Sequence, residues 1–186
     1  MKKLFLVLFL LAFASFPLVG CTPGPPCTGA GVVNGDFETG DFTYWTFTES
    51  DQFPQVQYTE VYSGSAAAYM GDGAAGLDGP GDDTASIQQA IYIPSCAIYP
   101  ELSLYYRVDG DDGDYCDEVD NMKFYINGTE ILCVWEDTDG WQQFQYSLNA
   151  YIGTSIILKI SAWTDDDKVT VDYYVDDITI TWYSWY

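Results

Sequence analysis

The seven residues Leu102-Ser103-Leu104-Tyr105-Tyr106-Arg107-Val108 carry apolar or aromatic side chains at every even-numbered position. Successive side chains of a β-strand point to opposite faces of its sheet, so this pattern predicts a half-buried strand. We expect the even-numbered residues to face a core and the odd-numbered residues to face away from it. A second segment alternates in the same way, with Ile156, Leu158, Ile160 and Ala162 on one face and Ile157, Lys159, Ser161 and Trp163 on the other.

Similar short runs, separated by turn residues, recur along most of the chain. They predict nine strands, over Gln55–Tyr62, Ala66–Met70, Ser86–Ile93, Glu101–Val108, Asn121–Ile126, Glu130–Trp135, Gln142–Leu148, Ser155–Trp163 and Thr170–Trp182. Asn127-Gly128 between two of these runs is a strong signal for a hairpin turn. No stretch after Gly31 has the apolar spacing of a long amphipathic helix. The predicted fold is therefore all-β, a two-sheet antiparallel β-sandwich of the jelly-roll type.

The composition excludes several classes of function. The chain has 28 acidic and 6 basic residues and a formal net charge of −22. Such a surface repels phosphate backbones, which excludes nucleic acid as a partner. The chain has no histidine, so it lacks the commonest general base, any Ser-His or Cys-His nucleophile pair and any His-ligated zinc site. Its 28 acidic residues form many carboxylate pairs by chance and no pair stands out for glycoside hydrolysis, so we expect no enzyme.

The N-terminal residues have the organisation of an export signal. Lys2 and Lys3 precede an apolar run from Leu4 to Phe16, which is shorter than the ~20 residues that a membrane span needs. The tetrapeptide that ends in Cys21 resembles the lipobox of bacterial lipoproteins, in which the cysteine is lipidated. We predict a signal peptide over 1–20, a Pro/Gly-rich tether over 21–31 and a folded domain over 32–186. The alternatives are ordinary cleavage nearby and a membrane-spanning anchor.

The cysteine count agrees with lipidation. Five cysteines leave an odd one, and assigning Cys21 to a lipid leaves Cys27, Cys96, Cys116 and Cys133 for disulfides in an oxidising compartment. Four cysteines allow three pairings, among which the sequence does not choose. Cys116–Cys133 with Cys27–Cys96 is the pairing that we prefer, because the first pair flanks two neighbouring predicted strands. The expected location is the cell surface or outer envelope, with membrane contact only through the lipid.

Five further segments follow each other in the order found in a known fold family. They are Val33–Phe42 with Trp45, Tyr62–Ala67, Ser86–Gln89, Gly140–Phe144 and Tyr174–Ile180. Together they resemble the galactose-binding-like jelly rolls, which include several carbohydrate-binding module families. The resemblance covers Val32 to about Thr181. It implies a jelly roll with Trp45 and Trp141 in the core, and either glycan binding or, as in related accessory domains of surface proteins and proteases, protein contacts.

The resemblance also implies a structural calcium ion between the first and last strands. The matching positions are Asp36 through its carbonyl, Glu38, Ser63 or Ala66, and Asp176. Calcium favours six to eight oxygen ligands from loops, which suits this mixture of carboxylates and carbonyls. The alternative is that Glu38 and Asp176 are turn or capping residues. We expect the other acidic runs, Asp109–Asp120 and Asp165–Asp167, to be solvated loops.

Aromatic and basic residues of several predicted strands lie in the phase opposite to the core, and we expect them to share one outer face of a sheet. These candidate ligand-binding residues are Tyr105, Arg107, Tyr125, Lys159 and Trp163. Aromatic rings stack on the apolar faces of sugar rings, and polar neighbours bond the hydroxyl groups. The same rings could instead pair across strands or lie under a loop. The sequence thus favours a calcium-stabilised module that binds polysaccharide, and the rival is an adhesive or structural surface protein.

Overall fold

A computed structural model describes residues 27–29, 31–48, 54–71, 83–110, 116, 120–164 and 171–184. These residues form ten strands and one turn of 3-10 helix, Asn149–Tyr151. The strands are β1 Thr46–Thr48, β2 Gln55–Gln57, β3 Ala67–Tyr69, β4 Asp83–Tyr92, β5 Ile98–Asp109, β6 Asn121–Ile126, β7 Thr129–Val134, β8 Gln142–Ser147, β9 Ser155–Thr164 and β10 Asp172–Tyr183. No helix in this part of the chain is long and apolar enough to cross a membrane.

The strands form two five-stranded antiparallel sheets. The first sheet has the order β1-β4-β9-β6-β7 and the second has the order β2-β3-β10-β5-β8. Both sheets contribute inward side chains to one buried cluster that includes Phe37, Leu104, Phe124, Leu158 and Val175. The predicted two-sheet antiparallel sandwich is confirmed.

The alternating segments behave as their sequence predicts. Leu102, Leu104 and Val108 of β5 are fully buried, and the even-numbered residues of β9 from 156 to 162 are buried as well. The odd-numbered residues of both strands point outward and are exposed or partly exposed. A one-residue slip of either strand would exchange these two sets, so burial fixes the register of both sheets.

Nine of the ten strands were predicted, and β1 was missed. All three residues of β1 are exposed, so no apolar alternation marks this short edge strand. The strand predicted over Gln55–Tyr62 ends early, at Gln57. The Gln57 side-chain oxygen accepts bonds from the backbone N–H groups of Thr59, at 2.7 Å, and Glu60, at 2.9 Å. These bonds turn the chain away from its partner strand β3 and begin a loop.

A β-bulge interrupts β10 and changes which of its residues face the core. The pairing with β5 shifts between Asp176 and Thr179, and Asp177 has a positive φ of 49°. Tyr173 and Val175 are buried before the bulge, whereas Ile178 is buried after it. The extra residue therefore lets one long strand keep apolar side chains in the core on both sides of the bulge.

The hairpin and the cysteine pairs agree with the sequence analysis. Asn127 and Gly128 both have positive φ, 51° and 78°, as a type I′ turn between β6 and β7 requires. Cys27 pairs with Cys96, and Cys116 pairs with Cys133, at Cα–Cα distances of 5.6 and 6.2 Å. Both distances suit disulfide bonds, which fit an oxidising compartment outside the cytosol.

Several predicted features lie outside the described residues. They are the signal peptide over 1–20, the lipidation site Cys21, most of the tether, residues 111–115 and 117–119 of the first acidic run, and Asp165–Asp167. Their predictions stand as made.

The turn that contains Gly35 packs closely against β10, and this contact provides a test of the fold. The carbonyl of Gly35 accepts a 2.9 Å bond from the Ile178 amide, and a Cβ atom on Gly35 would overlap the Ile178 carbonyl oxygen. We expect Gly35→Ala to lower the free energy of unfolding by about 3 kcal/mol, because the backbone must move apart. Gly31→Ala is the control, since its Cβ would lie 3.3 Å from the Ile180 oxygen. Equal urea midpoints for the two variants would contradict this packing.

Candidate functional site

The five predicted ligand-binding residues lie on two opposite faces of the sandwich. Tyr105 and Arg107 belong to β5 of the second sheet, whereas Tyr125 belongs to β6, and Lys159 and Trp163 to β9, of the first sheet. The expectation of one common face is therefore wrong. Alternation tells which residues point away from the core, but it does not tell to which sheet a strand belongs.

On the outer face of the second sheet, Tyr105 is covered. The ring of Tyr62, from the loop between β2 and β3, stacks on the Tyr105 ring at a centroid distance of 3.5 Å and an angle of 13°. Hydrogen bonding to Tyr105 raises the pKa of Tyr62. Arg107 is held by Glu60 of the same loop and by Asp109, each at 2.6 Å. Tyr105 and Arg107 thus lie under a loop, which is the alternative to ligand binding for these two residues.

Trp141 also lies on this outer face, and not in the core as predicted. It is partly exposed, and its ring centroid is 6.0 Å from that of Tyr62 and 6.4 Å from that of Tyr174. Burial, followed by the nearby charge of Asp172, raises the pKa of Tyr174. Trp45 is buried as predicted, stacks on Phe37 at 5.9 Å and donates its indole N–H to the Asn34 carbonyl at 2.9 Å.

The outer face of the first sheet holds an open cleft, which we call the first-face cleft. Neighbouring strands β6 and β9 place Asn121 opposite Trp163, Lys123 opposite Ser161 and Tyr125 opposite Lys159. The cleft has a volume of about 240 Å³ and is lined by Asn121, Lys123, Tyr125, Ser161 and Trp163. Two of these residues, Tyr125 and Trp163, were predicted for ligand binding, and Lys159 lies beside them.

The side chains of this cleft combine apolar ring surface with hydrogen-bonding groups. The Lys159 ammonium lies 6.0 Å from the centre of the Tyr125 ring, which is within the range of a cation–π contact. The Lys123 ammonium lies 3.7 Å from a Glu130 carboxylate oxygen. An aromatic wall with a few polar groups is the usual composition of a site for a small polar ligand.

A second hollow lies farther along the same face. It has a volume of about 330 Å³ and is lined by Tyr44, Thr46, Gln88, Gln89, Ala90 and Ile157. Ile157 and Trp163 are six residues apart on β9, which corresponds to roughly 20 Å along an extended strand. The face is therefore long enough for several sugar rings in a row.

Sequence analysis predicted Tyr125, Lys159 and Trp163 of this face and missed the polar residues Asn121, Lys123 and Ser161. Lys123 follows the alternation of β6, in which Met122 and Phe124 are buried, whereas Asn121 is itself buried. That phase could have been read from the sequence. The contribution of Gln88, from β4, depends on its pairing with Lys159 across the sheet, and the sequence alone does not give this pairing.

The predicted calcium ligands lie where three segments meet. These segments are the turn that contains Asp36 and Glu38, the loop before β3 and the bulge of β10. Glu38 accepts bonds from the amides of Ser65 and Ala66, at 2.6 and 3.0 Å, and from the Ser65 hydroxyl at 2.7 Å. The bonds to Ser65 lower the pKa of Glu38. We call this group, which comprises Glu38, residues 62–66, Asp176 and Asp177, the clasp.

Asp176 is the buried member of the clasp. Its carboxylate accepts bonds from the amides of Tyr62 at 3.0 Å, Ser63 at 3.2 Å and Asp177 at 2.7 Å. Burial raises its pKa to about 6, and these three bonds act in the opposite direction. The Ser63 hydroxyl donates to Asp177 at 2.9 Å. The clasp thus joins segments that are 113 and 114 residues apart in sequence.

These contacts bear on whether the clasp suits a calcium ion. One oxygen of Glu38 and one oxygen of Asp176 each accept two amide bonds. An ion would have to replace some of these bonds, because the amides occupy the lone pairs that it needs. Within the described ranges, no group of three or more acidic or cysteine side chains is placed to hold a metal ion. Amide bonds thus close the clasp in this structure, and the calcium site stays a prediction.

Comparisons with known proteins show the fold and no sequence family. No protein-family model matches the chain, and no curated protein matches it closely enough to count as a relative. Among solved structures, the chain is similar to TmCBM61 in complex with β-1,4-galactotriose, with a TM-score of 0.61 and 13% identity over 82% of this chain and 97% of that one.

Two other solved structures share the fold. The K1 cleaved adhesin domain of Lys-gingipain from Porphyromonas gingivalis W83 has a TM-score of 0.56 and 14% identity, over 84% of this chain and 99% of that one. Tailspike protein 4 of bacteriophage CBA120 has a TM-score of 0.50 and 10% identity over 82% of this chain, and the match spans only 21% of the tailspike chain. One fold therefore occurs in proteins of different kinds, and the fold alone does not assign a function.

The buried carboxylate of Asp176 leads to a prediction of how the free energy of unfolding depends on pH. The pKa of Asp176 in the folded protein, about 6, lies above the ordinary value near 3.9. Its contribution to stability is therefore complete below about pH 4 and is lost as the pH rises through 6. We expect the free energy of unfolding to fall by up to about 3 kcal/mol between pH 4 and 7 from this group.

Asp176→Asn should flatten this dependence, whereas Asp36→Asn, which removes an exposed charge near the same end, should leave the slope in place. Urea unfolding at several pH values measures both. The same slope in all three proteins would contradict a raised pKa at Asp176.

Proposed function

We propose that this protein binds polysaccharide, without catalysis, on the outer face of its first sheet. The observation that carries the proposal is the first-face cleft, where Tyr125 and Trp163 stand with Lys123 and Ser161 on two neighbouring strands. The fold similarity to a carbohydrate-binding module that was solved with β-1,4-galactotriose supports the proposal. The second face supports it less, because Tyr62 and the loop before β3 cover Tyr105 there.

In the proposed complex, sugar rings stack on the indole and phenol rings through their apolar faces. The ammonium groups of Lys123 and Lys159, the Ser161 hydroxyl and the Asn121 amide bond the sugar hydroxyls. Such contacts are made at the surface of a rigid sheet, so little conformational entropy is lost on binding. The glycan itself is not specified by these groups.

The proposal includes the location of the protein. Two cysteine pairs at disulfide distance fit an exported protein. We propose that Cys21 carries a lipid and that the tether over 21–31 holds the sandwich at the cell surface. The domain would then present its first face to glycans at a fixed short distance from the membrane.

An adhesive or structural role is the second candidate. Tyr99 and Tyr183 are 71% and 74% exposed, and both lie at the same end of the second sheet, where Tyr183 pairs with Ile98. Exposed aromatic groups are frequent in protein interfaces, and the similarity to an adhesin domain agrees with such a role. The two candidates use different surfaces and can be separated by experiment.

A retention assay on insoluble polysaccharides and a glycan array tests the proposal. We expect Trp163→Ala to weaken retention at least tenfold, because an aromatic stacking platform is lost. Tyr105→Phe is the control, since it keeps the ring under Tyr62 on the opposite face. Absence of retention on every glycan by the folded protein would overturn the glycan proposal and favour the adhesive role.

Calcium stays a prediction. If an ion replaces amide bonds in the clasp, the melting temperature rises in millimolar Ca²⁺ and falls in chelator, because the ion joins the first and last strands. Glu38→Gln should abolish this difference. Melting curves that coincide in calcium and chelator would show that the amide bonds close the clasp by themselves.

A further inference from the structure

We propose that one end of the sandwich docks onto the surface of the membrane that carries the protein, with neutral phospholipid headgroups as its partner. This end, which we call the neutral end, consists of the segments 92–100, 147–155 and 181–184. The choice of a membrane as the partner rests on the lipid at Cys21 that belongs to the proposed function. The surface itself rests on the following observations.

The three segments of the neutral end lie together where both sheets end. The Ile93 amide donates to the Thr154 carbonyl, and the Gly153 amide donates to the Ile93 carbonyl, each at 2.9 Å. In the second sheet, Tyr183 pairs with Ile98 at the start of β5. Residues 93–97 connect the two sheets, so these contacts form one continuous surface.

The neutral end carries no charged side chain. None of the residues in its three segments is Asp, Glu, Lys or Arg, although the whole chain has 28 acidic residues. At the opposite end, β4 and β10 begin at Asp83 and Asp172, and the acidic runs of the sequence follow the ends of β5 and β9. The neutral end can therefore approach headgroups with little of the repulsion that the net charge causes elsewhere.

Large apolar side chains are exposed at this end. Tyr183 is 74% exposed, Tyr99 71%, Tyr92 46% and Ile152 36%. Trp182 lies beside Tyr183 and packs in part against the core. Tyrosine and tryptophan are enriched at membrane–water interfaces, where the ring lies at headgroup level and the polar atom stays hydrated. Clustered exposed apolar groups of this kind mark an interaction surface.

A disulfide holds the chain leading to Cys21 at the neutral end. Cys27 pairs with Cys96 of the segment 92–100, at a Cα–Cα distance of 5.6 Å. Six peptide bonds separate Cys21 from Cys27, and a chain of that length spans at most about 21 Å when it is fully extended. A lipid on Cys21 would therefore hold the neutral end within roughly 20 Å of the bilayer.

This short connection favours lipid over a protein partner. Tyr99 and Tyr183 also belong to the surface that an adhesive role would use. A small folded domain is about 30 Å across, so it does not fit between the neutral end and a bilayer at most about 21 Å away. Headgroups are already present there, and the tether makes their contact with the aromatic rings intramolecular. Even a weak contact then orients the domain.

Paramagnetic NMR on the lipid-carrying protein tests which end faces the bilayer. The full chain is expressed with its signal, the lipid on Cys21 is verified by mass spectrometry, and the ¹⁵N-labelled protein is placed in phosphatidylcholine nanodiscs. A gadolinium chelate on a few headgroups broadens the signals of nearby amides. We expect strong broadening at Ile98 and Gly153 and none at Thr164 and Asp172, which lie roughly 30 Å away along the strands.

Matched variants separate docking from the effect of the tether alone. Tyr99→Ser combined with Tyr183→Ser keeps the tether and the disulfide, and broadening at Gly153 should fall by about threefold or more because the domain then moves freely on its tether. Tyr58→Ser is the control, since Tyr58 is 62% exposed but lies in the loop between β2 and β3. It should leave the broadening unchanged.

The lipid composition tests the choice of neutral headgroups. Replacing part of the phosphatidylcholine by phosphatidylglycerol should reduce the broadening at Gly153, because the acidic chain is repelled by an anionic surface. An increase would contradict that choice.

Two results would overturn the docking surface. One is equal broadening at both ends of the sandwich, and the other is a profile that survives the double substitution, which would leave Tyr99 and Tyr183 to the adhesive role. A Cys21 without lipid would contradict the proposed location only. Its thiol would then be coupled to a maleimide headgroup, so that the same profile still decides whether the neutral end binds lipid.

Discussion

A buried carboxylate, that of Asp176, joins the loop before β3 to the bulge of β10. Its side chain has no exposed surface, and a buried charge is tolerated only when hydrogen bonds replace its lost hydration. Three amides supply these bonds, and two of them come from the distant loop at Tyr62 and Ser63. The third belongs to Asp177, whose positive φ forms the bulge. One charge therefore requires both the loop and the bulge to adopt their observed positions.

The clasp also holds the loop that covers part of the outer face of the second sheet. With residues 62 and 63 fixed on Asp176, the preceding part of the loop lies across the second sheet. Glu60 then reaches Arg107, and Tyr62 stacks on Tyr105. The outer side chains of the first sheet line two hollows. The requirement for satisfying a buried charge thus determines which residues of the second sheet are covered.

Residue patterns predicted the parts of this molecule that depend on local alternation. The inward residues of β9 and the Asn127-Gly128 turn follow from side-chain period and backbone conformation, which neighbouring residues determine. The separation of Tyr105 from Tyr125 could not be predicted in this way, since it depends on which strands pair.

Contacts between distant or non-strand segments also explain two other wrong predictions. These are the core position of Trp141 and the length of the strand that begins at Gln55. Nothing near Trp141 in sequence reveals that Tyr62 and Tyr174 flank it on an outer face, because both come from distant segments. The loop that begins after Gln57 has the alternation of a strand, and only the side-chain oxygen of Gln57, bonded to two following amides, stops it. Side-chain hydrogen bonds that compete with sheet pairing depend on the three-dimensional structure, and the hydrophobic pattern of the sequence does not reveal them.

The acidity of the chain and the proposed neutral ligand of the first-face cleft are consistent with each other. A net charge of −22 repels polyanions over distances of about a Debye length, but it has little effect on neutral sugars. Arg107 contacts two carboxylates under the loop before β3, whereas Lys159 lies on the first face over the Tyr125 ring and Lys123 lies near Glu130. A neutral glycan on the first face would thus meet ammonium groups and aromatic ring faces without repulsion from the net charge of the chain.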